Sequence, residues 1–494
     1  TVMIKLGQFL PDQPAYQNAG ATVANNVVPA ANGYGNLPDV LPFSGSANKF
    51  IRGMFAAKDD SASSAIYLGD ENSLYKFDAT DSSLTDISKT SDTSYSTGDG
   101  FIWKFVQFGE EVIATNYSNP IQTIVAAGGG RFADLGGSPP KAKHIAVVRD
   151  FVMCGYTNDT TDGEKPYRVR WSGIGDYDSW AVDPNTQADF QDIADMGAVT
   201  GLVGGEYATI LMERGIVRAQ YVGSPLVFEF DKVQLQRGCK ISGSVVSLGQ
   251  NVFYLSDDGF YMFDGQSSKP IGAEKINRYF LSRFQSNNSA RMSAVVDPLR
   301  QIVVWSYPSV DSGDGTPDEL IIYNYATDSW STANIGLDAM APLFTAGYTL
   351  EGLATITGSL DSLPSSLDSS VYKGGEFFFA GSKDKKIQTF TGDNLDAIVE
   401  TGEFDLQAGR SSLVSNIIPY VENNSGVPLT VTAQVASRDS QNAQVNFGSA
   451  STLNNDNFCP VRSSGRFHRV RLNLSGSWTN VQGVDVDGQV RGRR

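Results

Sequence analysis

Short apolar runs broken by Gly-, Asp- and Asn-rich turns recur along most of the chain. In NVFYLSDDGFYMFDGQ (251–266), Val252 and Tyr254 alternate with Phe253 and Leu255. Both faces of this strand are therefore apolar, as a strand sandwiched between two other sheets requires. An Asp-Asp-Gly turn reverses the chain into a second aromatic strand, which ends at Asp264-Gly265. The same phrase recurs as LGDENSLYKFDAT (68–80) and GSKDKKIQTFTGD (381–393).

Units of this kind begin at Phe50, Phe101, His144, Val199, Ser244, Ser293 and Gly374. Their spacing, mostly about 40–60 residues, is that of propeller blades with loop insertions. A lone four-stranded sheet cannot bury both faces, whereas radial stacking covers each sheet with its neighbours and leaves only short edges. The pattern predicts an all-β chain with a β-propeller of six or seven blades over 49–394. The competing arrangement is a pair of β-sandwiches built from similar hairpins.

Two flanking regions differ. Residues 1–48 are rich in Pro, Asn and Gly, residues that disfavour regular structure, yet they carry Phe9, Tyr16, Val23, Val27, Val28 and Tyr34. They read as an extended N-terminal arm lying on a surface of this subunit or of a neighbour. Residues 395–494 read as a small antiparallel C-terminal β-domain, with alternation at Leu429, Val431, Ala433 and Val435 and again at Phe467, Val470, Leu472 and Leu474. One short helix is expected within GAEKINRYFLSRFQ (272–285), where Ile276, Tyr279, Phe280 and Phe284 share a face.

The chain has 494 residues, 41% hydrophobic and 19% charged, so it folds around a large core. Its formal net charge of −16 disfavours adhesion to phosphate backbones but suits a wall past which nucleic acid slides. The charge is uneven: from Arg462 onward, seven arginines face only Asp485 and Asp487. That end is either a solvated strand face with a basic tail or a strip that docks an acidic partner. Three widely spaced cysteines, Cys154, Cys239 and Cys459, form no disulfide framework or zinc motif and fit assembly in a reducing cytoplasm. No apolar run is long enough for a membrane helix, so no membrane insertion is expected.

Candidate chemistry is sparse. The two histidines, His144 and His468, both sit in strand patterns and read as structural. DSGDGTPDE (311–319) has the composition of a calcium loop without its spacing. STGDGFIW (96–103) approaches a sialidase box but fails its spacing. In YNYATDSWST (323–332), Asp328 and Trp330 read as a turn and a core plug. No catalytic, cofactor-binding or metal residue is selected. A propeller glycosidase acting on host surface polysaccharide, its carboxylate pair hidden among the Asp and Glu residues, is the alternative reading.

Three stretches carry a resemblance. The opening LGQFLPDQPAYQNAGATVANNVVPAANGYGNLPDVLPFS, the central QRGCKISGSVVSLGQNVFYLSDDG with PIGAEKINRYF (236–280), and the closing SSGRFHRVRLNLSGSWTNVQGVDVDGQVRGRR resemble the tail nozzle, or packaged-DNA stabilisation, proteins of short-tailed bacteriophages. The resemblance implies a structural virion protein of the tail, assembled in the bacterial cytoplasm. Six copies would form a ring below the portal and adaptor proteins, continuing the DNA channel, retaining packaged double-stranded DNA and supporting tail fibres or spikes. Rings of this kind close because head-to-tail contacts complete a rotation. On this reading Pro11, Asp12, Gln13, Pro14 and Tyr16 anchor the arm, and Arg466, Arg469 and Arg471 meet an acidic partner.

Overall fold

The computed structural model describes residues 2–16, 18–90, 94–344, 377–423 and 428–492. The opening of the seventh repeat at Gly374 and the last two arginines, Arg493 and Arg494, lie outside the described residues.

Among the described residues seven antiparallel four-stranded units follow one another along the chain, six as separate sheets and one within a nine-stranded sheet. Blade 1 begins with Gly53–Lys58, blade 2 with Lys104–Phe108, blade 3 with Lys141–Val148 and blade 4 with Val199–Val203. Blades 5, 6 and 7 begin with Val246–Leu248, Ser293–Asp297 and Ala339–Phe344. The first six starts track the repeats in the sequence, whereas blade 7 begins at Ala339, ahead of the expected unit at Gly374, which leads into the second strand of that blade, Phe377–Lys383. First strands are neighbours from blade 1 through blade 4 and from blade 5 through blade 7, blades 4 and 5 share an apolar layer, and the first strand of blade 7 lies beside that of blade 1. The sheets therefore close into a ring, and the protein is a seven-bladed β-propeller.

The core is a series of apolar layers between adjacent sheets. Val112 and Ala114 of blade 2 pack against Tyr67 and Leu74 of blade 1, while Ile113, between them in sequence, packs against Ile145 and Val152 of blade 3. Blade 5 shows the alternation read from the sequence. Val252 and Tyr254 face Leu211 and Ile216 of blade 4, and Phe253 and Leu255 face Val303 and Trp305 of blade 6. Blades 7 and 1 share a layer made by Ala339, Leu343 and Ile387 with Met54, Ile66 and Leu68. At roughly 1.5–3 kcal/mol for each large apolar side chain buried, these layers dominate the stability of the ring. In blade 6 Trp330 is buried with its indole N–H on the Ile271 carbonyl at 3.1 Å, and Asp328 accepts the Tyr323 hydroxyl at 3.0 Å, the plug and turn expected there.

The N-terminal residues are more regular than the extended surface arm expected. They form five short strands: β1 (Val2–Lys5), β2 (Ala21–Asn25), β3 (Val27–Ala30), β4 (Gly33–Asn36) and β5 (Leu41–Pro42). The last of these pairs with Lys386–Thr389 and completes blade 7, so the ring is closed by strands from both ends of the propeller region. Strand β2 bridges the outer strand of blade 6 and Ala397–Thr401, fusing the propeller sheet with a sheet of the C-terminal domain. Strands β1, β3 and β4 join the other C-terminal sheet through Trp478–Val490. Phe9, Ala21, Ala24, Val27 and Tyr34 are buried in the core shared by blades 5 and 6 and the C-terminal domain. The expected boundary near residue 48 is thus no physical boundary; Pro and Gly disfavour long strands, but these strands are two to five residues long and are held by their partners.

The C-terminal domain packs Leu429–Arg438 and Phe467–Gly476 of one sheet over Ser412–Asn423 and Trp478–Val490 of the other. Val431, Ala433, Val435, Val470, Leu472 and Leu474 face inward as expected. The expected short helix, α1 (Asn277–Arg283), sits between blades 5 and 6 with Phe280 buried. Among the described residues no helix is long and apolar enough to cross a membrane.

Candidate functional site

The three stretches that carry the resemblance meet in one seam. Pro11 opens a turn in which the Gln13 N–H bonds the Leu10 carbonyl at 3.2 Å, a position that favours proline because its φ is preset. The turn presents Asp12 to the first residues of α1, where its carboxylate accepts the N–H groups of Arg278 and Tyr279, each at 2.8 Å. The Gln13 side-chain amide donates to the Glu274 carbonyl at 2.8 Å, and Pro14 follows as an exposed residue. Phe9 packs edge-on against Tyr279, and Tyr16 edge-on against Phe467, with ring centres 5.7 and 5.0 Å apart. The arm residues therefore anchor to this chain's own helix and C-terminal strand.

The basic strip is likewise satisfied inside the chain. Arg469 and Arg471 each place nitrogens 2.9 Å from the buried Glu400 carboxylate. Glu403, also buried, pairs with Arg438 at 2.7 Å and lies 4.0 Å from Arg469. The half-buried Arg466 lies over the Phe467 ring, 5.4 Å from its centre. The expectation that Arg469 and Arg471 reach an outside acidic surface is corrected here, because their acidic partners are residues of Ala397–Thr401 and the segment just after it. The sequence listed Phe467 among the inward residues, but strand parity puts His468 on that side and leaves Phe467 for Tyr16 to cover.

His468 is fully buried between two serines, with Nε2 2.6 Å from the Ser412 hydroxyl and Nδ1 2.7 Å from the Ser437 hydroxyl. Burial pushes its pKa down to about 4, so it is neutral at pH 7. In the 311–319 loop, Asp314 bonds Thr316, Asp318 bonds Ser309, and Glu319 pairs with Arg283 and accepts the Tyr307 hydroxyl at 2.6 Å. In the 96–103 segment Asp99 pairs with Arg52 at 2.9 Å.

One cavity was not foreseen. It has a volume of about 650 Å³ and lies where the inner, first strands of blades 2, 3 and 4 begin. Lys104, Lys143 and His144 line it from the starts of the blade 2 and blade 3 strands, with Phe101, Tyr117, Tyr156, Glu213 and Lys240 around them. The Lys143 ammonium sits 3.4 Å from the centre of the Tyr156 ring, 5.1 Å from Tyr117 and 5.5 Å from Phe101. Burial lowers the pKa of Lys104 to about 8, lowers that of Lys143, and holds His144 well below its ordinary value. Lys240 is matched by Asp257 at 2.9 Å, and Glu213 accepts the Ala198 N–H at 3.1 Å. A sequence signal existed: FIWKFVQF and KAKHIAVV each put a lysine near the start of a repeat's first strand.

No protein-family model matches the chain, and no curated protein matches it. Solved structures similar to it include the extracellular domain of a one-component system of B. thetaiotaomicron, with TM-score 0.42 and 10% identity, covering 79% of this chain and 44% of that one. The WD40 domain of Neurospora crassa Pan2 has TM-score 0.37 and 8% identity over 65% of this chain and 91% of its own. YCF48 bound to D1 peptide has TM-score 0.37 and 9% identity over 62% of this chain and 87% of its own. The chain thus spans less than half of the first of these. Likenesses at these scores carry nothing about function, and the propeller assignment rests on the strand pairing.

Proposed function

We propose that this chain is a structural subunit of a short-tailed bacteriophage tail. Six copies form a nozzle ring that continues the DNA channel below the portal and adaptor, retains the packaged genome and carries attachment proteins. The observation that carries the reading is the seam: the opening, central and closing stretches that resemble nozzle proteins are joined through Asp12 and α1 and through Tyr16 and Phe467. Residues hundreds of positions apart that share a family likeness also share one piece of architecture. The charge supports the same reading. Arg469, Arg471 and Arg438 are matched internally by Glu400 and Glu403, so this cluster is close to neutral and the negative charge behind the net −16 lies elsewhere on the chain. A wall of that sign repels phosphate and lets DNA pass without sticking.

Deletion of the gene from the phage that encodes it tests the proposal. The expected result is filled heads that lack the distal tail and lose DNA, with the chain found by mass spectrometry in wild-type virions. Normal, infectious particles without the chain would overturn it.

A further inference from the structure

The cavity at the inner strands has the makings of a ligand site that the tail reading does not use. The Lys104 ammonium has no ion pair or hydrogen bond among the described residues, and Lys143 has no carboxylate within ion-pair distance there. Both ammonium groups act on the same imidazole, His144, and a cation in a partly dehydrated cavity is costly unless an anion accompanies it. Glu164, the nearest acid acting on Lys143, is engaged by the Tyr117 hydroxyl at 2.7 Å. Beside the lysines, His144 is 3% exposed and its Nδ1 has no hydrogen-bond partner.

The backbone adds an independent observation. Tyr117 and Tyr156, the two tyrosines against Lys143, both adopt left-handed conformations, at φ 64° and 56°. Bulky residues rarely do so, at a cost of roughly 1–3 kcal/mol each, and such strain gathers at functional sites. Tyr156 also sits at an irregularity in the ladder between the second and third strands of blade 3, the kind of feature that re-aims a side chain. Two strained rings thus hold one lysine in place at the cavity wall. The cavity volume is that of a small-molecule site, and Ser242 and Ser289 line it too.

We propose that this cavity binds a small oxyanion, a phosphate or carboxylate group, held by Lys104 and Lys143. The anion neutralises the two ammonium groups. The site does not depend on the tail assignment and stands or falls separately from it.

Calorimetric titration of the full chain at low ionic strength and pH 7 tests this, with sodium phosphate and sodium malonate as probes and sodium chloride as the matched control. One saturable site is expected for phosphate, for malonate or for both; which probe binds tells the two oxyanion sources apart. Lys104→Met should weaken binding at least tenfold, Lys104→Arg should retain most of it, and Lys269→Met, at an exposed position on blade 5, should leave it unchanged. Lys104→Met should also raise the thermal midpoint in probe-free buffer, a readout that shows the variant is folded. Absence of saturable binding for both probes, or equal binding by Lys104→Met, would overturn the assignment.

Discussion

The carboxylate of Asp12 accepts the backbone N–H of Tyr279 at 2.8 Å across 267 positions of sequence. Helix α1 has no side-chain cap of its own at Ile276, so its orphan N–H groups are satisfied from the N-terminal strands. The helix and the arm are therefore one structural unit. Asp12→Ala should cost about 1 kcal/mol, the usual worth of a helix cap. Urea denaturation should show the loss, together with faster amide exchange at Arg278 and Tyr279. Unchanged exchange there would show that the cap contributes nothing.

Glu400 carries a second consequence. Its carboxylate is 2% exposed and engages Arg469, Arg471 and the Thr22 hydroxyl, the last at 3.1 Å. Arg469→Glu would set a third acid beside Glu400 and Glu403. Breaking a buried pair in this way costs roughly 3–5 kcal/mol, a large share of the 5–15 kcal/mol typical of a folded protein. The variant should lose the C-terminal domain's cooperative unfolding, and not merely its assembly. A wild-type melting curve for Arg469→Glu would refute the internal role.

His468 should make stability fall in mild acid. Its folded pKa of about 4 lies below the ordinary value near 6.5. Below pH 6.5 the unfolded chain takes up a proton that the folded chain refuses, so stability is fully present above pH 6.5 and drains away down to about pH 4. The whole drop is about 3 kcal/mol from this group. His468→Asn, which keeps hydrogen-bonding capacity without titrating, should remove that part of the pH slope. Identical slopes in the two proteins would count against it.

Removal of residues 1–43 should prevent folding of the ring. Leu41 pairs with Thr389 to complete blade 7, and Phe9, Val27 and Tyr34 fill the core beside blade 6. A dispensable arm would instead leave circular dichroism and solubility unchanged.

The ring was legible because blades 1 to 6 are built from local hairpins, so their pattern is contiguous in sequence. Val252 and Tyr254 against Phe253 and Leu255 announced two buried faces, and both were found. What the sequence concealed depends on long-range pairing. Leu41 reads as loop because its strand exists only against Thr389. Arg469 reads as surface because Glu400 lies in another strand. The cavity at the inner strands escaped for the same reason: Lys104 and Lys143 belong to different repeats, and only ring closure brings them to one wall.

The central claim is that this propeller works as one-sixth of a conduit. Electron microscopy of the purified full-length protein at micromolar concentration tests it most directly. The account predicts particles of six copies of the 53.2 kDa chain, six-fold symmetric around an open central hole. A uniform population of single, unassociated propellers would contradict it.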